Sequence, residues 1–201
     1  MARPVDHARR AELALRSLDF VRSQGMRRVT MSELATALDV NRPALYWYFK
    51  NLGEVFEAVL AVILERQRDF LMAGMAEVGD DPLAMVEAWM RGVCGFYAED
   101  PQLLAVLVQF WAMGAPDQPQ RVLETTRDYA QSLQEAAVLL LTEAITAGQV
   151  RACDVPVLIG LCAGVLDGLL IQQVRQGTDP LPALNLFCRS VLDPLRATPQ
   201  G

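Results

Sequence analysis

Apolar residues recur at helical spacing along almost the whole chain. Ala14, Leu18 and Val21 form an i, i+4, i+7 stripe with Leu13 and Phe20 beside it, which predicts a helix from Val5 to Gln24. Gly25 supplies its stop. Thr30-Met31-Ser32-Glu33 has the spacing of a capping box, in which the hydroxyl accepts from the Glu33 backbone and the carboxylate reaches back, so a second helix is expected over Met31–Leu38. Asp39-Val40 reads as a tight turn. Asn41 is a strong N-cap residue and Pro43 falls in a first turn where its missing N–H costs little, predicting a short helix over Arg42–Tyr48. A fourth helix starts near Leu52 and runs to about Val78.

Breaks then divide the remainder. Gly79-Asp80-Asp81-Pro82 caps a fifth helix reaching Ala98, and Asp100-Pro101 opens a sixth ending near Gly114. Ala115–Pro119 is the clearest loop. A long seventh helix is expected from Gln120 to Ala147 with Gly148 behind it, an eighth from Asp154-Val155-Pro156 to Gln176, and a ninth from Asp179–Pro182 to about Arg196. The tail from Ala197 is expected to be loose. No alternating strand pattern appears. The expectation is an all-α chain of about nine helices: an N-terminal three-helix unit in residues 1–50 and a helical bundle in residues 51–201.

Composition narrows the function. Hydrophobic residues make up 52% of the chain and charged residues 21%, enough for a sizeable core. The most apolar stretch, Val155 to Ile171, contains Asp167 and several glycines, so a buried helix rather than a membrane span is expected. The basic N-terminus leads into no apolar signal core, which places the protein in the cytosol. Cys94, Cys153, Cys162 and Cys188 lack metal-ligand spacing and read as buried thiols. His7 is the single histidine and lies near the N-terminus, which speaks against a Ser-His-Asp or Cys-His catalytic site. No phosphate loop or paired-carboxylate site appears in the body, so no enzyme activity, cofactor or metal is expected.

The net charge of −6 conceals an asymmetry. Residues 1–50 hold nine bases and five acids, a net +4, which leaves nine bases and 19 acids, a net −10, for the rest. A basic head on an acidic body suits a polyanion at the head alone.

The head also carries a motif. Ala35 is small where a second helix must approach, and Leu34, Leu38, Val40 and Leu45 are placed to form a small shared core, as in a helix-turn-helix. Tyr46-Trp47-Tyr48-Phe49 puts four aromatics in a row on a helix too short to bury them all. At least two must be exposed, next to Arg42 and Lys50. Leu45 and Phe49 are assigned to the core.

From about Leu13 to Val59, and above all in Pro43, Leu45-Tyr46-Trp47 and Lys50-Asn51, the chain resembles the TetR family of transcriptional regulators. The resemblance implies that Tyr46 and Lys50 hold backbone phosphates, that Pro43, Ala44 and Trp47 meet base edges or thymine methyls, and that Arg42 pairs with guanine. Thr30 with Arg27 and Arg28 would lie against phosphate. Asp39 stands where the family usually has glycine in the turn, and Gly53 where it usually has a better helix former.

For the body the resemblance implies a homodimer built on the last two long helices. Gly160, Ala163, Gly164, Asp167 and Leu170 would contribute from the eighth helix, and Leu184, Phe187 and Val191 from the ninth. Two heads must be held about 34–36 Å apart to read a palindromic double-stranded operator. The resemblance also implies a small-molecule effector, apolar or cationic, held among helices four to eight. Trp89, Cys94, Phe96 and Tyr97 are candidates there, as are Phe110, Trp111, Met113 and Tyr129. The expected function is a repressor released by its ligand. The alternative is a ligand-binding helical dimer without specific DNA binding.

Overall fold

The computed structural model describes residues 6–25, 29–112 and 120–197, with the side chains of residues 110–127 left aside. The described residues hold nine α-helices and no strand, in two compact units. One comprises residues 1–66 with 102–127, the other residues 67–101 with 128–201.

In the first unit, α1 (His7–Gln24) is capped by Asp6, whose carboxylate accepts from the Arg9 N–H at 3.1 Å. It buries Leu13, Ala14, Leu18 and Val21, the predicted stripe, together with Ser17, whose hydroxyl donates back to the Leu13 carbonyl. α2 (Met31–Ala37) begins with the complete capping box: the Glu33 N–H donates to Thr30 Oγ1 at 3.2 Å and the Thr30 N–H to Glu33 Oε2 at 3.0 Å. α3 spans Arg42–Tyr48 as the caps predict, with Asn41 accepting from the Ala44 N–H at 2.8 Å. α4 (Leu52–Met75) takes Gly53 into its first turn and ends one turn short of the predicted Val78. α6 spans Pro101–Ala112. The expectations for Arg27, Arg28 and the loop at Ala115–Pro119 fall outside the described residues, as does the end of the tail.

The turn between α2 and α3 explains how aspartate replaces glycine. Asp39 sits at φ 54°, the one positive φ of a non-glycine residue among those described. Its N–H donates to the Thr36 carbonyl and the Val40 N–H to the Ala35 carbonyl at 3.0 Å, a Schellman closure with Asp39 at the left-handed position. A short polar side chain tolerates that conformation where a β-branched one does not. Asp39→Val is therefore expected to destabilise the protein by about 1–2 kcal/mol, with Asp39→Gly neutral or slightly stabilising, as measured by urea denaturation.

In the second unit, α5 (Pro82–Glu99) is capped by Asp81, which accepts from the backbone of Leu83 and Ala84. A Cβ on Gly92 of α5 would come within 2.6 Å of a Leu71 methyl of α4, so glycine permits that approach. α7 spans Gln120–Thr146 and α8 Val155–Gln176, the latter capped by Asp154 and closed by left-handed Gly177. α9 (Leu181–Phe187) continues into a widened π turn over Cys188–Leu192 and a 3-10 turn over Asp193–Leu195. The caps and periodicity predict one regular helix over this stretch. Pro194 brings no N–H to the ladder, so the regular spacing cannot run on through it. Arg196 is held by an ion pair with Asp81 and by a bridge with Val150.

The eighth helix departs from expectation. It is long and apolar enough to cross a bilayer by length and composition, yet only 39% of its most apolar window is buried. Val157 (65% exposed) and Leu161 (47%) lie with Ile171 and Val174 on an open face. A Cβ at Gly160, Gly164 or Gly168 would meet nothing within 4 Å. These three glycines of α8 therefore serve no close approach among the described residues.

Candidate nucleic-acid interface

The outer face of α3 is held by an apolar inner face. Leu34, Leu38, Leu45 and Phe49 are fully or almost fully buried. Val40, expected among them, is half-buried because it already belongs to the turn. α1 locks the end of α3: Arg10 stacks its guanidinium 4.9 Å above the Phe49 ring and donates to the Tyr48 carbonyl at 3.3 Å. Arg16, also on α1, donates to the Leu38 carbonyl at the end of α2. With seven residues, α3 is too short to hold its shape alone, so its orientation comes from these contacts.

Four successive aromatics divide as the helical period demands. Phe49 is buried and Tyr48 half-buried, while Tyr46 (39% exposed) and Trp47 (49%) face outward. Arg42 and Pro43 are exposed and Ala44 is half-buried at the start of the helix. The Arg42 guanidinium lies 5.4 Å from the Tyr46 ring centroid and donates to its hydroxyl at 3.3 Å. That contact preorganises both groups on one surface, with donors left over for a phosphate or a guanine edge.

Lys50 stands beside the N-terminus of α4, 85% exposed. Asn51 accepts from the Glu54 N–H at 3.0 Å, and Glu54 accepts in turn from the Lys50 N–H. The ammonium and the α4 N-terminus bring two positive ends together at one place on the surface. Glu54 opposes them through a 3.8 Å ion pair with Lys50. An exposed pair of this kind is worth about 0–1 kcal/mol, less than a charge-assisted phosphate contact, so the lysine is free to change partners. Thr30 is exposed at the start of α2, its hydroxyl donating to Glu33.

The candidates in the body scatter. Cys94 and Tyr97 are fully buried and Phe96 nearly so. Phe96 packs against Phe70 and Tyr97 with centroids 5.6 and 5.0 Å away, and the Tyr97 hydroxyl accepts from Gln67 at 3.2 Å. Burial pushes the Cys94 thiol up to about 11 and the Tyr97 phenol well above its usual range. These three are core, as aromatic stripes at helical spacing usually are. Tyr129 is half-buried with its hydroxyl unpartnered, and desolvation raises its pKa. The side chains of Phe110 and Trp111, and Met113 altogether, lie outside the description.

Trp89 lines a cavity. The cavity, of about 170 Å³, is bounded by Met75 of α4, Met85 and Trp89 of α5, Leu133 and Leu140 of α7, and Cys162 of α8. The sequence reading missed all but the tryptophan. A methionine or leucine on a helix stripe looks the same whether it fills a core or borders a void, and only the Met75/Met85 pair hints at loosely filled space. All four cysteines are free thiols; Cys94, Cys162 and Cys188 are buried and Cys153 is half-buried.

Of the dimer candidates, Leu170 and Leu184 are buried within their own unit and so belong to its core, a correction to the expected surface role. On α8, Gly160, Gly164 and Asp167 are exposed. Ala163, Phe187 and Val191 are half-buried. Desolvation raises the Asp167 carboxyl above its usual range.

Comparison with known proteins bears on both parts. Residues 20–59 match the family described as bacterial regulatory proteins, tetR family. Over 84 residues the chain is 33% identical to the nucleoid occlusion factor SlmA of Haemophilus ducreyi, a match covering 42% of this chain and 41% of that relative's length. Among solved structures, a TetR transcription regulator from Haloarcula marismortui superimposes with a TM-score of 0.81 at 16% identity, covering 94% of this chain and 99% of that one. The ketosteroid transcriptional regulator KstR2 of Mycobacterium tuberculosis superimposes with a TM-score of 0.64 at 14% identity, covering 96% and 98%. PfmR, a TetR-family regulator from Thermus thermophilus, gives 0.67 at 15% identity, covering 90% and 97%. At such identities these structures establish the shared all-α fold.

Proposed function

We propose, from the match of residues 20–59 to the tetR-family model, that the head of this chain is a DNA-binding domain and that the protein is a cytosolic, sequence-specific transcription regulator that binds a palindromic operator as a homodimer and is released by a small molecule. The observation that carries the reading is the division of α3: Leu45 and Phe49 lock it from within while Arg42, Pro43, Tyr46 and Trp47 are presented outward beside Lys50. Arg42 and Trp47 read base edges, and Tyr46, Lys50 and Thr30 hold phosphates. Arg27 and Arg28 belong to the same basic N-terminal stretch of the sequence.

Dimerisation is supported by the exposed stripe Val157, Gly160, Leu161 and Gly164, which runs up α8 at helical spacing. A second copy covers it as an isologous pair, with glycines letting the backbones approach. Leu161→Arg is expected to leave a folded monomer in analytical ultracentrifugation and to weaken operator binding by more than 100-fold, since one head reads only a half-site.

Release is supported by one continuous helix. The division between the two units falls at residues 66 and 67, inside α4, whose first turn adjoins Lys50 and whose last residue, Met75, borders the cavity. A ligand preferring one position of that helix shifts the population of heads able to meet successive grooves. A coupling of about 1–3 kcal/mol changes operator affinity roughly 5- to 150-fold.

Selection of binding sites from a random DNA pool tests the proposal. A recovered palindrome with half-sites about one helical turn apart supports it. Recovery of no sequence preference, with ligand binding and dimerisation intact, would leave a helical ligand-binding dimer instead.

A further inference from the structure

The 170 Å³ cavity lies wholly within the second unit, and among the described residues no carboxylate, guanidinium or ammonium group lines it. Methionine, leucine, isoleucine, valine and alanine side chains form its wall, together with Trp89, Gln134 and Cys162. Those last three carry the polar atoms, and none offers a fixed polar contact to an occupant. The Trp89 indole nitrogen has under 1 Å² of accessible surface, so the ring meets the space through carbon. Cys162 is buried, and burial pushes its thiol up to about 11, so it stays neutral near pH 7. Gln134 is an exposed residue, whose amide can stay hydrated while the cavity is filled.

Size and chemistry together define what fits. Protein interiors leave few voids larger than a water molecule, so a space of this size among four helices is unusual. Water fills such a space poorly, because each molecule needs two to four polar partners. An apolar cavity of about 150 Å³ takes up benzene, so this one suits roughly six to ten heavy atoms. A charged group placed here loses its hydration without meeting a counter-charge, and a hydroxyl loses its own without meeting a partner. Methionine side chains are unbranched and polarisable and pack well against aromatic rings, as an indole ring does. Met75, Met85 and Trp89 on one wall therefore favour a planar aromatic occupant.

We infer that this cavity takes an uncharged, single-ring aromatic hydrocarbon and holds it by apolar contact alone. That molecule is the effector of the regulator proposed above, on which reading this assignment rests. The effector class narrows from apolar or cationic to uncharged, and selection falls to volume and shape rather than to hydrogen bonding.

The test is a titration of the full-length protein with toluene, phenol, propylbenzene, biphenyl, benzylammonium and benzoate, followed by calorimetry and by the shift in melting temperature. Toluene and phenol share one shape and differ by a methyl in place of a hydroxyl. Toluene should bind about fivefold or more tightly than phenol, the ratio a hydroxyl buried without a partner supplies. Propylbenzene, with two further methylenes, should bind roughly tenfold more tightly than toluene. Biphenyl is larger than the space and should bind more weakly than propylbenzene. Benzylammonium and benzoate should not bind. Ala137→Leu, which fills the cavity, should lose toluene binding and melt at no lower temperature than the parent chain. Leu133→Ala, which enlarges it, should raise biphenyl to at least the affinity of propylbenzene.

Failure of toluene to bind would overturn the inference. So would phenol binding as tightly as toluene, saturable binding of benzylammonium or benzoate, or biphenyl binding more tightly than propylbenzene to the unaltered protein. Undiminished toluene binding by folded Ala137→Leu would put the molecule elsewhere and overturn it too. If that variant does not fold, Leu133→Ala decides the point, and an unchanged order of biphenyl and propylbenzene counts against the cavity. Operator binding measured on the same preparation separates the two claims. A protein that binds its operator but not toluene refutes the ligand assignment alone, and one that binds toluene but no DNA refutes the regulator reading alone.

Discussion

Phe49→Ala is expected to cost about 3–5 kcal/mol, the price of removing a large aromatic side chain from a packed site. The ring is fully buried, and Arg10 lies over one face. Three interactions go at once: the transfer of the ring from water, the contacts that filled its volume, and the cation–π contact that ties α1 to the end of α3. Because α3 is only seven residues long, it does not keep its orientation without this anchor. Loss of operator binding should therefore accompany a lower melting temperature. Phe49→Leu keeps most of the volume and should recover most of the stability. The measurement is thermal denaturation by circular dichroism alongside gel retardation. Full stability in Phe49→Ala would mean that α3 is held by something other than its inner face.

Lys50→Ala and Tyr46→Phe probe the outer face, and here stability should not move. Lys50 is 85% exposed and its ion pair with Glu54 is long, so little folding energy is at stake. Binding energy is a different matter. Loss of a charge-assisted phosphate contact costs about 1.5–3 kcal/mol, and a symmetric dimer loses two. Operator affinity should fall by roughly 100-fold or more. The salt dependence discriminates between the two side chains. Lys50 releases counterions when it meets phosphate, so its removal should flatten the slope of log K against log salt by about 0.9 per subunit. The tyrosine hydroxyl is neutral, so Tyr46→Phe should weaken binding while leaving that slope unchanged. Equal slopes for Lys50→Ala and the parent chain would remove Lys50 from the phosphate contacts.

The head was largely readable from the chain because its signals are local. The Thr30–Glu33 capping box, the Asn41 cap and the Asp39 turn each involve residues within a few positions of one another, and each appears as expected. The split of Tyr46 to Phe49 followed from the helical period and the shortness of α3. Even the substitution of aspartate for glycine in the turn was accounted for by a local property, tolerance of positive φ.

The body was readable as helices but not as a site. Cys94, Phe96 and Tyr97 were as plausible for the cavity as Trp89, and the structure puts them in the core instead. Leu170 and Leu184 shared stripes with exposed neighbours, yet they point inward. The widened turn at Cys188–Leu192 gave no sign beyond Pro194.

The chain by itself determined the helices, the caps and turns that bound them, and the basic, aromatic chemistry of the outer face of α3, because those depend on periodicity and near neighbours. Only the tertiary structure decided which apolar face of α8 is left uncovered and which residues border the void. Those outcomes depend on how side chains from α4, α5, α7 and α8, distant along the chain, share one volume, and packing at close-packed density leaves no trace of that sharing in local spacing.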